Sequence, residues 1–273
     1  MRFNKMQKLF FAYFALITIY WVWLQTTNYR ETNYNYFYSF AFSLMPLIGG
    51  VVGLVGIRVW GRFRSALGQA VGFFSIGLFS WALGSMIWAY YNFVLHEPAP
   101  YPSVADIFYV AALPLWVLGA YNLSKASGAR FGWRKPLMKF FAVLIPVAAV
   151  AASYYLLVSV ARDGTLLTDT SALTKTILDI SYPLGDVLIL TGSLLIFGLS
   201  FRLLGGYYRN SMFIWLGGIV VMYFADFIFS YTTTTGSFYV GNWGDLIFAT
   251  AMFLMTFGVL GFVEKPRVES EDK

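Results

Sequence analysis

Eight apolar runs follow one another along this chain, more than a fold surrounded by water can bury. A helix needs about 20 mostly apolar residues to cross a bilayer. The runs fall at Leu9–Leu24, Phe40–Ile57, Ala70–Leu95, Val104–Leu123, Phe140–Val160, Thr176–Ser200, Met212–Tyr231 and Trp243–Val263. The connections between them are short. The hydropathy therefore predicts an all-α, polytopic membrane bundle of eight transmembrane helices over residues 1–263, with a short charged tail at 264–273. Composition points the same way: 12% of residues are charged, against about 25% in soluble domains. The first run outlasts the ~7–15 apolar residues of a signal peptide. It is followed by Gln25-Thr26-Thr27-Asn28 with no small-residue cleavage site. It is read as an uncleaved span.

Lysine and arginine set the orientation, because they collect on the cytoplasmic side. One side receives Arg2, Lys5, Lys8, Arg58, Arg62, Arg64, Lys125, Arg130, Arg134, Lys135, Lys139, Arg202, Arg209, Lys265, Arg267 and Lys273. The other receives only Arg30, Arg162 and Lys175. Both termini are thus expected in the cytoplasm, with the chain in the cell inner (plasma) membrane. Acidic residues divide the opposite way, since only Glu264, Glu269, Glu271 and Asp272 fall inside. The outer mouth should attract cations, and the basic inner rim should attract anionic headgroups. The net charge of +6 is then a topology signal and implies no nucleic-acid partner.

Five aspartates lie in or at the edge of spans: Asp106, Asp179, Asp186, Asp226 and Asp245. A carboxylate at a span centre costs roughly 2.5–3.5 kcal/mol on insertion scales. Asp106 and Asp245 stand at the outer starts of their helices, where capping and the helix dipole favour an acid. Asp186 stands about ten residues into its span, roughly 15 Å deep, and capping cannot explain it. Asp179 lies seven residues earlier on the same face. Pro183 and Gly185 between and beside them predict a hinge. Asp226, with Tyr223 on its face, has a depth between the two. The predicted binding cluster is therefore Asp179, Asp186 and Asp226 with Tyr182 and Tyr223. It would suit a proton, a hard cation or an organic amine. A protonated or hydrogen-bonded aspartate that only joins helices is the competing reading.

Two hairpins resemble one another. Trp88-Ala-Tyr-Tyr-Asn-Phe leads to Pro102-Ser-Val-Ala-Asp106-Ile-Phe-Tyr, and Tyr223-Phe-Ala-Asp226-Phe leads to Gly241-Asn-Trp-Gly-Asp245-Leu-Ile-Phe. Both are aromatic-rich and return through a small-residue turn. Most of these aromatics are expected in the interfacial belts, and a minority could line a pocket. Gly49-x-x-x-Gly53 and Gly68-x-x-x-Gly72 are candidate helix-contact motifs.

Several chemistries are excluded. The chain has no Cys and one His, His96. That removes disulfides, thiolate nucleophiles, iron–sulfur clusters and any multi-His site within one chain. No span holds a lysine for a retinal Schiff base, and no glycine-rich phosphate loop is present. No cofactor is predicted. Enzymatic activity is not the favoured reading, although an aspartate-based hydrolase stays open.

The stretches Gly84-Ser-Met-Ile-Trp-Ala-Tyr-Tyr-Asn92, Pro102-Ser-Val-Ala-Asp106-Ile-Phe-Tyr-Val-Ala-Ala-Leu-Pro-Leu115 and Ile180-Ser-Tyr-Pro-Leu-Gly-Asp-Val-Leu-Ile-Leu190 resemble a known type of region. It is the multi-span membrane region in front of bacterial diguanylate cyclase (GGDEF) and phosphodiesterase (EAL) domains. The resemblance covers spans three to eight and implies a sensory bundle. The sequence ends at Lys273 without such a catalytic domain, so a separate signalling partner is expected. The remaining expected partners are the lipid bilayer, a small ligand or cation, and a second copy of the chain. The first functional expectation is a sensor-like membrane module, the second a cation- or proton-coupled transporter, and the third a structural membrane protein.

Overall fold

The computed structural model describes residues 3–97, 101–126, 136–155 and 208–264, with 159, 178, 182, 185 and 187–192 between them. Among the described residues every regular element is helical. They are α1 (Lys5–Thr27), α2 (Asn33–Gly56), α3 (Ala66–Tyr90, prolonged by a wider turn to Leu95), α4 (Val104–Ala126), α5 (Pro136–Tyr154), α6 (Arg209–Thr234) and α7 (Trp243–Phe262). Six of them, all but α5, are long and apolar enough to cross a membrane. The protein is therefore an all-helical, multi-pass membrane protein. Residues 187–192 are also helical and belong to the sixth predicted run.

Local sequence fixes the helix starts, because the first N–H groups of a helix need acceptors from outside the ladder. Asn4 and Gln7 close a reciprocal box at α1, with Asn4 Oδ1 accepting the Gln7 N–H at 2.7 Å. Asn35 Oδ1 accepts the Thr32 N–H at 3.3 Å and the Thr32 hydroxyl at 2.8 Å. Ser65 Oγ accepts the Gly68 N–H at the start of α3. The span over α2 was expected to begin at Phe40. It begins at Asn33 because the cap at Thr32 recruits the Asn33-Tyr-Asn-Tyr-Phe-Tyr stretch, which hydropathy alone leaves outside.

Hydrogen bonds between elements show which helix ends lie together. At one end Trp21 Nε1 and Gln25 Nε2 of α1 donate to the Gly241 carbonyl, and Asn35 Nδ2 of α2 donates to Val240. At the other end Gln7 Nε2 donates to Phe257, Trp60 Nε1 to Phe262 and the Tyr208 hydroxyl to Glu264. α3 and α4 form an antiparallel hairpin, in which Ser80 Oγ donates to Phe108 at 2.7 Å. One end of the bundle thus carries Lys5, Lys8, Arg58, Arg62, Arg64, Lys125 and Arg209. The opposite end carries Glu31, Glu97, Asp106 and Asp245, with Arg30 as a basic residue among them.

Small residues let the helices approach closely. A Cβ at Gly53 would overlap Ser75 of α3 and Val259 of α7, and one at Gly49 would meet Thr256 of α7. Thr256 Oγ1 donates to the Met45 carbonyl at 3.0 Å across the same seam. The Gly49-x-x-x-Gly53 motif is therefore a helix contact, as such motifs are in bilayers. Gly68 and Gly72 instead face the α2–α3 turn, at Arg62 and Phe63. Beneath these seams the basic half of the bundle is closely filled. Phe74 and Trp215 stack with centroids 3.5 Å apart, and Met45, Leu78, Trp116, Met252 and Met255 are fully buried around them.

Candidate functional site

A cavity of about 100 Å³ opens at the acidic end, between α2, α3, α4, α6 and α7. An apolar cavity of ~150 Å³ can hold benzene, so this smaller space suits several waters or a ligand of a few heavy atoms. Its carboxylates are Asp106, Asp226 and Asp245. Its hydroxyls come from Ser39, Ser85, Tyr101, Tyr109, Tyr182, Tyr223, Ser230 and Thr233. Phe42, Trp81, Trp88, Phe227, Phe229, Phe238 and Phe248 supply aromatic walls. No Lys or Arg is among these lining residues.

The same local device brings in two of the carboxylates. In the α3–α4 hairpin Asp106 stands in the first turn of α4, and its Oδ2 accepts the Ser103 N–H at 2.6 Å. In the α6–α7 hairpin Asp245 stands in the first turn of α7. Its Oδ2 accepts the Gly241 N–H at 2.6 Å, while Asn242 Oδ1 accepts the Asp245 N–H at 3.1 Å. The repeat seen in the sequence is a repeat of this geometry. Asp226 reaches the same space from the middle of the last turns of α6 and is half-buried. Tyr109 lies within electrostatic reach of all three carboxylates, and Tyr182 within reach of Asp106 and Asp226.

Three predicted binding residues, Asp226, Tyr182 and Tyr223, line the cavity. Tyr182 donates to Asp106 Oδ1 at 2.8 Å, and Tyr223 donates to the Ala149 carbonyl of α5 at 3.4 Å. Asp179, Asp186 and Pro183 lie outside the described residues. Gly185, paired with Pro183 as a hinge, packs against Leu113 of α4. The sequence reading set Asp106 and Asp245 apart as outer helix starts. They are helix starts, and they also line the cavity beside Asp226. The available signal was the matched Pro102-Ser-Val-Ala-Asp106 and Gly241-Asn-Trp-Gly-Asp245 turns, which bring both acids to the same end. Of the hairpin aromatics, most of which were expected in the interfacial belts, Trp88 lines the cavity, whereas Tyr90 and Trp243 are exposed.

The carboxylates are spread around the walls. Among the described residues no three acidic or histidine side chains come close enough together to hold a metal ion. Replacing Tyr182 by Phe removes one hydrogen bond to a carboxylate and leaves the ring in place. It is expected to lower stability by about 1–2 kcal/mol, read as a reduced melting temperature in detergent micelles. An unchanged melting temperature would show that the contact contributes nothing.

The fold and site define a helical, multi-pass membrane protein with an acidic, aromatic cavity at one end. Compared with known proteins, the chain matches no family model, no curated protein and no solved structure.

Proposed function

We propose that this protein is a sensor-like module of a bacterial inner (plasma) membrane that binds a small ligand or cation in its acidic cavity. The observation that carries this reading is the cavity itself: three carboxylates and aromatic walls, with no Lys or Arg among the described lining residues. The orientation follows from the separated charges. The basic end lies in the cytoplasm with both termini, the cavity opens outward, and eight spans complete the bundle. The resemblance to membrane regions of cyclase and phosphodiesterase proteins supports the sensory role. The signal passes to a separate partner through the basic cytoplasmic loops.

A path for the signal is available at the cavity mouth. Phe238 forms part of the wall and packs edge-on against Phe229, with centroids 5.2 Å apart. The residues that follow it are tied to α1 and to the turn between α1 and α2. Arg30 lies 4.7 Å over the Tyr239 ring, Glu31 Oε1 accepts the Val240 N–H, and Gly241 accepts from Trp21 and Gln25. A ligand that touches Phe238 differently in two arrangements of this loop would shift the balance between them.

The transporter reading needs a polar path inward from the carboxylates. The stacked Phe74–Trp215 pair and the buried methionines beside it favour a closed floor. Purified protein in liposomes is expected to carry no proton or Na⁺ flux above protein-free vesicles. A flux abolished by Asp226→Asn would replace the sensor reading with transport.

A further inference from the structure

We infer that the turn between α2 and α3 is a binding site for the phosphate of an anionic phospholipid, held by Arg58, Arg62 and Arg64. The inference concerns the basic end of the bundle and depends neither on the cavity nor on the sensor reading. The apolar helical stretches that contain α2 and α3 run over Asn33–Trp60 and Ala66–Leu95, and each is long enough to cross the bilayer. Only residues 61–65 separate them, so the turn is held at headgroup depth. Its backbone is fixed from within and from below. Ser65 Oγ donates to the Trp60 carbonyl at 2.8 Å, and Gln69 Nε2 donates to the Phe63 carbonyl at 2.9 Å. Trp60 Nε1 donates to Phe262 of α7 at 3.0 Å, and its ring packs edge-on against Tyr208. Gly61 and Arg62 are both left-handed, with φ of 72° and 60°. A residue with a side chain holds that conformation only where its surroundings impose it. Here α3 comes so close that a Cβ at Gly68 would overlap the Arg62 carbonyl.

The side chains of this fixed turn point to the ligand. Arg58, Arg62 and Arg64 are exposed, and so is Phe63 between the last two. The Phe63 ring occupies the space that a Cβ at Gly72 would fill and lies edge-on to Phe73 of α3. An aromatic ring seated against a span between two cations fits the boundary of acyl chains and headgroups. That placement selects a lipid over a soluble anion. Residue type narrows the chemistry. A topology signal needs positive charge alone, and the same end uses Lys5, Lys8 and Lys125 for it. The turn uses arginine at all three of its basic positions. Arginine presents a planar fork that binds phosphate through two parallel hydrogen bonds, which an ammonium cannot do. Three such forks on one short turn suit a phosphodiester whose negative charge is not neutralised within its own headgroup.

The test uses the full chain in detergent micelles, titrated with phosphatidylglycerol, phosphatidylcholine or inorganic phosphate, with lipid occupancy read by native mass spectrometry. Phosphatidylglycerol is expected to bind at least about tenfold more tightly than phosphatidylcholine, whose choline neutralises the same phosphodiester. Inorganic phosphate should not displace it. Replacing Arg58, Arg62 and Arg64 together by Lys keeps the charge and should weaken phosphatidylglycerol about tenfold, at an unchanged melting temperature in lipid-free micelles. Arg58→Lys with Arg64→Lys leaves the left-handed Arg62 in place and should weaken it about threefold. Lys5→Gln with Lys8→Gln removes charge from the same end outside the turn and should leave the phosphatidylglycerol preference intact. Equal binding of the two lipids, unchanged affinity in both arginine-to-lysine variants, or a preference lost with Lys5 and Lys8 would each reduce the arginines to general charge and overturn the site. Displacement by inorganic phosphate would overturn the lipid assignment in favour of a soluble anion. The sensor reading is untouched by these results and falls to the liposome flux.

Discussion

Gly50→Leu is expected to destabilise the bundle by about 3 kcal/mol or more, at the upper end of overpacking costs. Leu is the better helix former by about 0.8–1 kcal/mol, so propensity alone predicts the opposite sign. The clash decides it. A Cβ at Gly50 would stand 2.8 Å from Phe79 Cβ and 2.9 Å from the Phe79 Cα and backbone nitrogen. Backbone cannot rotate aside as a flexible side chain can, so α2 would have to leave α3. That movement also strains the Gly53 contacts with Ser75 and Val259. Ser39 and Phe42 on the same helix line the cavity, so ligand binding should weaken along with stability. Thermal unfolding in micelles checks the first effect. A variant as stable as the parent would show that the α2–α3 seam is loose.

Trp215→Ala is expected to cost about 3 kcal/mol and to leave ligand affinity of the folded protein unchanged. Large-to-small changes at buried aromatics cost about 3–5 kcal/mol in soluble cores. The lower end applies here, because in a bilayer the removed surface would not face water in any case and only lost packing counts. Trp215 is fully buried and stacks on Phe74. It stands eleven residues before Asp226 on α6, roughly 16 Å along the axis. Packing at the floor and binding at the mouth are thus separable. Loss of ligand affinity without loss of stability would show that Trp215 reaches the ligand and that the floor is not closed.

These two positions also show where reading the sequence succeeds and where it stops. The Gly49-x-x-x-Gly53 spacing was visible as a contact motif, because a small-residue stripe is a property of one helix. Which neighbours fill it, Ser75 on one side and Val259 and Thr256 on the other, depends on how α2 lies between α3 and α7. Helix positions were legible within a few residues where hydropathy sets them, as for the runs at Val104 and Trp243. The start of α2 was not, because a cap at Thr32 outweighs a polar, aromatic stretch that hydropathy leaves out. The expectation of eight spans compares with six long apolar helices among the described residues. The sixth run is described only at 178, 182, 185 and 187–192, and its Asp179, Pro183 and Asp186 lie outside the described residues.

The sequence by itself determined the helical membrane class, the separation of basic and acidic ends, and the role of Asp106 and Asp245 as first-turn acids. Each of these depends on composition or on residues three or four apart. Only the tertiary structure decided that Asp106, Asp226 and Asp245 share one cavity, since they come from three helices that hydropathy cannot place side by side. Only it decided that Asp106 also accepts from Tyr182, 76 residues away, while Asp245 accepts from Gly241 in its own turn. Capping is satisfied within one turn of chain, but the second oxygen of a carboxylate is satisfied, or left open, by whichever helix packs opposite.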